Sequence, residues 1–197
     1  MSGHGPASHG PVLRLVQRQL EQFYELEQAP DVVDFVRFGQ AGSREMLLLQ
    51  QRDDALEVAL VLPPGLKPSP ASDSWLQLAE GVSHFVYIAE RARTGLPATQ
   101  LELELQAEVD KFVLLALGAQ WIDARATRRL LARLYERVRY LHSADSEAGA
   151  RYRIANDLAA RFVARLVGSK PPEVVSRTLR QFYRSGQSDK IRLARAA

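Results

Sequence analysis

No cysteine occurs among the 197 residues, so disulfides, thiolate metal sites and cysteine nucleophiles are excluded outright. No stretch approaches the roughly 18 uninterrupted apolar residues of a membrane-spanning helix, and the first residues lack a basic segment followed by an apolar one. These absences predict a soluble, cytoplasmic protein with no membrane contact. Histidine is scarce, with four in all. His4 and His9 fall in a small, glycine-rich opening, which leaves His84 and His142 as acid–base candidates. His142 closes a predicted helix, where interaction with the helix dipole is its ordinary role.

The catalytic templates are missing too. There is no Gly-x-x-x-x-Gly-Lys phosphate loop, no Gly-x-Gly-x-x-Gly turn after a strand, no His-Glu-x-x-His and no Gly-x-Ser-x-Gly elbow. No residue is therefore assigned as catalytic. Zinc-finger spacing and an RNA-recognition signature are also absent.

The rest of the composition, 46% hydrophobic and 25% charged, suits one folded domain with its own core. Residues 1–10 are small and polar, predicting a disordered tail. Residues 11–28 place Val12, Leu13, Val16, Leu20, Phe23 and Tyr24 at helical spacing, with Pro11 suited to a first turn. From Asp31 the character changes to β-rich runs. Residues 31–62 read as a three-stranded antiparallel meander, with turns at Gly39-Gln40-Ala41-Gly42 and Arg52-Asp53-Asp54. Four prolines in residues 63–73 make a stiff connection.

Residues 74–117 predict two helices folded back around Thr94-Gly95-Leu96-Pro97. Three further helices follow a break at Gly118 to Asp123, over residues 124–142, 147–167 and 171–186. A basic, frayed tail is expected from Gln187 to Ala197. The predicted architecture is α+β, a single domain over residues 11–186: a leading helix, a small antiparallel sheet, a helical hairpin and three C-terminal helices.

The hairpin carries the one constellation of polar residues. At 100° per residue, Glu80, His84, Tyr87 and Arg91 share a stripe of the first helix, and Glu104, Glu108 and Lys111 a stripe of the second. With a short turn, an antiparallel pairing sets His84 near Glu108, Tyr87 near Glu104 and Glu80 near Lys111. Two outcomes follow. Glu80, His84, Glu104 and Glu108 converge as oxygen and nitrogen ligands for a divalent metal, or His84 acts as a base oriented by Glu108. Otherwise the seam is a set of ion pairs that fixes helix register, the commoner fate of such charges. Lys111 argues against a cation, and the Glu80-x-x-x-His84 spacing differs from the Glu-x-x-His of carboxylate-bridged metal bundles.

Charge is polarised along the chain. Residues 1–118 hold 9 Lys/Arg against 16 Asp/Glu, a net of −7, whereas residues 119–197 hold 17 against 7, a net of +10. The basic part is almost wholly arginine, whose planar fork pairs with phosphates and carboxylates. Arg128, Arg129, Arg133 and Arg137 are the candidate partner- or phosphate-binding residues, with Tyr135, Tyr140, Tyr152 and Tyr183 nearby in sequence. Attraction between an acidic and a basic half, within one fold or across a homo-oligomer, is the other explanation.

These features favour a non-enzymatic interaction or adaptor protein that binds another macromolecule, foremost a protein, through amphipathic and arginine-rich helices. A metal-dependent or acid–base enzyme built on the Glu80/His84/Glu104/Glu108 seam is the first alternative. A nucleic-acid binder using the basic half is the second.

Overall fold

Ser72, Thr99 and Ser146 each turn a side-chain oxygen onto a backbone N–H three residues on: Trp75 at 3.1 Å, Glu102 at 3.1 Å and Gly149 at 3.0 Å. These caps start the three long helices of the chain, because the first N–H groups of a helix have no partner within it. The computed structural model describes residues 9–40, 44–52, 55–66, 69, 72–118 and 124–196. Most of the predicted disordered tail lies outside the described residues. So do the turn at Ala41-Gly42, the reversal at Asp53-Asp54, two of the loop prolines and the break from Ala119 to Asp123.

The α+β class holds. Among the described residues, seven α-helices accompany three strands: α1 (Gly10–Tyr24), β1 (Val36–Phe38), β2 (Met46–Arg52), β3 (Ala55–Leu62), α2 (Asp73–Arg93), α3 (Gln100–Gly118), α4 (Ala124–Leu131), α5 (Glu147–Ser169), α6 (Pro172–Arg184) and α7 (Gln187–Arg195). They fall into two compact units, Met1–Gly95 and Leu96–Ala197. Among the described residues, no helix is long and apolar enough to cross a membrane.

In the first unit the sheet order is β1-β3-β2, with β1 parallel and β2 antiparallel to β3. The meander expectation is corrected here: the sheet is mixed and its third strand is central. β3 is apolar at both parities, with Leu60 and Leu62 fully buried and Ala59 and Val61 half-buried, which suits the strand paired on both sides. The sequence run Val32–Phe38 is also not one strand. Val32–Phe35 forms a 3₁₀ turn because Asp31 Oδ1 accepts from Val33 N at 3.0 Å, while Gln17 Oε1 accepts from Val32 N at 2.9 Å. That local cap overrides the β propensity of the run.

α2 packs on β2 and β3, and α1 packs on α2 and the 3₁₀ turn, filling the core with Leu13, Val16, Leu20, Leu78, Val82 and Phe85. α2 approaches β3 closely at Gly81, where a Cβ would sit 2.8 Å from Leu60 Cδ1. His9 is no mobile tail residue. It is buried, its Nε2 lies 2.7 Å from Leu66 O, and its ring is 5.9 Å from that of Phe38. α2 ends where Thr94 Oγ1 donates to Glu90 O at 2.8 Å and Gly95 turns to φ +65°, as the sequence predicts.

In the second unit α5 packs along α3 and also meets α4, α6 and α7. Its core holds Leu105, Val109, Phe112, Leu158 and Val163, with Phe162 stacked on Phe182 at 4.1 Å between centroids. Two expectations are corrected in this unit. The helix predicted over residues 124–142 stops at Glu136: α4 passes into a π-helical turn, Ala132–Glu136, closed by Arg137 N donating to Ala132 O at 3.0 Å. The wider turn carries Leu134 and Tyr135 inward together, and Tyr135 Oη donates to Glu108 O at 3.0 Å. Leu141, beyond that turn, is 65% exposed. The predicted frayed tail is instead helix α7, held because Lys190 and Ala194 are buried.

Burial pushes the Tyr135 phenol well above its usual 10.0, and the charges of Glu108 and Asp110 push the same way. The folded state thus keeps its proton at a pH where the unfolded chain gives it up. The associated stability is intact below about pH 10 and lost as pH rises beyond it. Urea unfolding is expected to show this alkaline fall, and Tyr135→Phe to flatten it while costing about 1 kcal/mol at neutral pH. An unchanged alkaline profile in the variant would contradict the assignment.

Candidate functional site

Each unit holds its own share of the predicted constellation. Glu80 and His84 lie one turn apart on α2 and are both buried. Their spacing puts a carboxylate and an imidazole on one face of one helix, two donors of the kind that hold divalent cations. Arg91 belongs to the same stripe and stacks over the Tyr87 ring at 5.1 Å. On α3, Glu104 is buried, and Glu108 accepts from Lys111 Nζ at 2.9 Å, an i,i+3 ion pair whose side chains are largely covered. The stripe Glu104/Glu108/Lys111 therefore forms as predicted, and its lysine is engaged by Glu108.

A fully buried cation was not among the predicted site residues. Lys190, on α7, is fully buried, and its ammonium donates to Gln106 Oε1 and, at 2.8 Å, to Phe182 O. It also lies 4.4 Å from the centroid of the Phe182 ring. Gln106 Nε2 donates in turn to Asp110 Oδ1 at 2.7 Å, and both side chains are fully buried on α3. A cation thus closes the C-terminal end of α6, where the helix dipole favours positive charge, and bonds back to α3. The only sequence signal was the pair Gln106 and Asp110, polar at i,i+4 on the apolar side of α3; Lys190 in the basic tail gave none.

Neither family models, nor curated proteins, nor solved structures match this chain. Its function has to be read from its own side chains.

Arg128 and Arg129 are exposed on α4, Arg133 is half-exposed in the π-helical turn, and Arg137 is exposed at its end. The four candidates therefore share one continuous helical stretch. Asp157, mid-way along α5, pairs with Arg161 at 3.0 Å, and its neighbour Asn156 is buried with Nδ2 donating to Leu134 O at 3.4 Å. His142 is not at a helix end. It sits in the connection before α5, its ring stacked on Tyr152 at 5.6 Å and 7°.

The first unit offers a surface that the sequence reading did not single out. β2 is an edge strand, and three of its apolar side chains are open: Met46 is 53% exposed, Leu48 48% and Leu49 43%. The register places Met46 opposite Val61 and Leu48 opposite Ala59, on the sheet face away from the buried Leu60 and Leu62. Natural edge strands are usually blunted by charge or proline. The run Met46-Leu47-Leu48-Leu49-Gln50 has neither.

Proposed function

We propose that this chain is a non-enzymatic, cytoplasmic interaction protein that takes up an extended, apolar segment of another polypeptide along the edge of β2. The observation that carries the reading is the open, apolar stretch Met46–Leu49 of that edge. An unpaired edge supplies backbone donors and acceptors to an added strand, and Met46 and Leu48 supply an apolar strip to its alternate side chains. The scarcity of catalytic motifs in the sequence points the same way.

The test is a peptide array of extended apolar segments probed with the full chain and with Leu48→Lys, which places a charge on the edge without touching the core. The wild-type chain is expected to retain a subset of peptides, and the variant to bind them at least about tenfold more weakly, roughly 1.4 kcal/mol. Equal retention by both chains, or none by either, overturns the proposal. A concentration-dependent dimer that Leu48→Lys abolishes would replace the foreign segment with a second copy. A native mass carrying a divalent ion that His84→Ala releases would move the function to Glu80 and His84 on α2.

A further inference from the structure

Between Ala124 and Arg139 the chain holds six arginines and a single carboxylate, Glu136. Among the described residues none of these arginines has a carboxylate within ion-pair distance, whereas Arg151, Arg161 and Arg192 of the same unit are each paired. Arg125, Arg129 and Arg133 follow one another at i,i+4, so they run along one side of α4 and its π-helical continuation, with Arg128 beside them. Unscreened like charges in a row oppose one another in the free protein. A fold that keeps them so, with acidic residues available elsewhere, has the composition of a surface completed by an anion.

A second observation comes from the segment that follows. Tyr140 is 36% exposed, and its ring lies 4.3 Å beneath the Arg153 guanidinium. The exposed His142 stacks on Tyr152 in near-parallel planes, and Arg153 Nη1 donates to His142 O at 3.2 Å. Flat rings are thus presented at the surface, fixed in place by an arginine, directly after the arginine stripe in the chain. A row of guanidinium groups followed along the chain by exposed aromatic rings offers the chemistry that single-stranded nucleic acid takes, its phosphates meeting the charge and its unpaired bases the rings. Double-stranded nucleic acid keeps its bases stacked on one another and has no use for the rings.

We propose that α4, its π-helical turn and the Tyr140–His142 segment form a binding surface for single-stranded nucleic acid. Arg125, Arg129 and Arg133 track the backbone, and Tyr140 receives a base. The surface is independent of the β2 edge, so either reading stands or falls without the other.

The experiment measures fluorescence anisotropy of labelled oligothymidylate, oligouridylate and a duplex of equal length with the full chain, across a salt series. Affinity for the single strands is expected to fall steeply with salt. If four phosphates are neutralised, the slope of log K against log salt is about −2.8. The double variant Arg129→Glu/Arg133→Glu is expected to lose at least tenfold in affinity and to flatten that slope. Tyr140→Ala is expected to weaken single-strand binding about tenfold or more and leave the slope unchanged. All three positions are solvent-accessible, and a circular dichroism melt confirms that the variants fold. A flat salt response, equal binding of duplex with no effect of Tyr140→Ala, or no binding at low salt each overturns the proposal. Binding only to vesicles of phosphatidylserine and phosphatidylcholine would reassign the stripe to an anionic lipid surface.

Discussion

Lys190→Met is expected to destabilise the second unit by about 3–5 kcal/mol, the range for removing one partner of a buried charged network. Methionine keeps most of the volume of the lysine stem, so the loss is not mainly one of packing. It comes from the acceptors left behind: Gln106 Oε1 and Phe182 O both receive Lys190 Nζ. These groups are sealed from water, and a buried acceptor stripped of its donor loses what solvent would have supplied. Urea unfolding followed by circular dichroism is the measurement. The double variant Lys190→Met/Gln106→Met is expected to recover none of the loss, because Gln106 Nε2 also donates to Asp110 Oδ1 at 2.7 Å and its removal strips a buried carboxylate of that donor. A cost below about 1 kcal/mol for the single change would mean that the ammonium is no better placed than a surface charge.

Gly149→Ala is expected to destabilise by about 3 kcal/mol, at the upper end of overpacking costs. In an unconstrained helix the same change stabilises by roughly 0.8–1 kcal/mol, so the sign alone separates the two cases. A Cβ at this position would lie 1.8 Å from Ser143 O and 2.9 Å from Ser146 Oγ. The first of these is backbone and has little room to retreat. Ser143 O accepts from Ser146 Oγ at 2.8 Å, and Arg153 bridges His142 O and Gly149 O at 3.2 and 2.8 Å. Displacing Ser143 therefore disturbs the segment that carries Tyr140 and His142. A thermal melt reads the stability, and the His142 ring resonances, shifted by stacking on Tyr152, report whether the loop has moved. An increase in the melting temperature would refute the close approach.

Periodicity carried most of the helices, because their apolar faces are continuous and their caps are conventional serine and threonine residues. It failed where one residue decided the local outcome. Asp31 turned a β-rich run into a 3₁₀ turn. Tyr135, drawn to the Glu108 carbonyl in a π-helical turn, ends a helix whose hydrophobic pattern runs on to Leu141. α7 was hidden by its charge: five of its nine residues are Asp, Lys, Arg or Gln, and its anchor is a lysine that composition assigns to solvent. Strand order was legible in principle, since the strand apolar at both parities belongs at the centre. The polar stripes of α2 and α3 were read correctly as stripes. The Lys190 network was beyond reach because its members are 84 positions apart, and nothing local in a sequence encodes such a meeting.

That separation also sets a clock on synthesis. A ribosome adding about 5–20 residues per second produces Gln106 roughly 4–17 s before it produces Lys190. Throughout that interval α3 has been made while the cation that caps α6 and bonds to Gln106 has not. The second unit thus reaches its finished state only after its last helix emerges, and a nascent chain arrested short of Lys190 presents α3 to whatever binds newly made apolar helices.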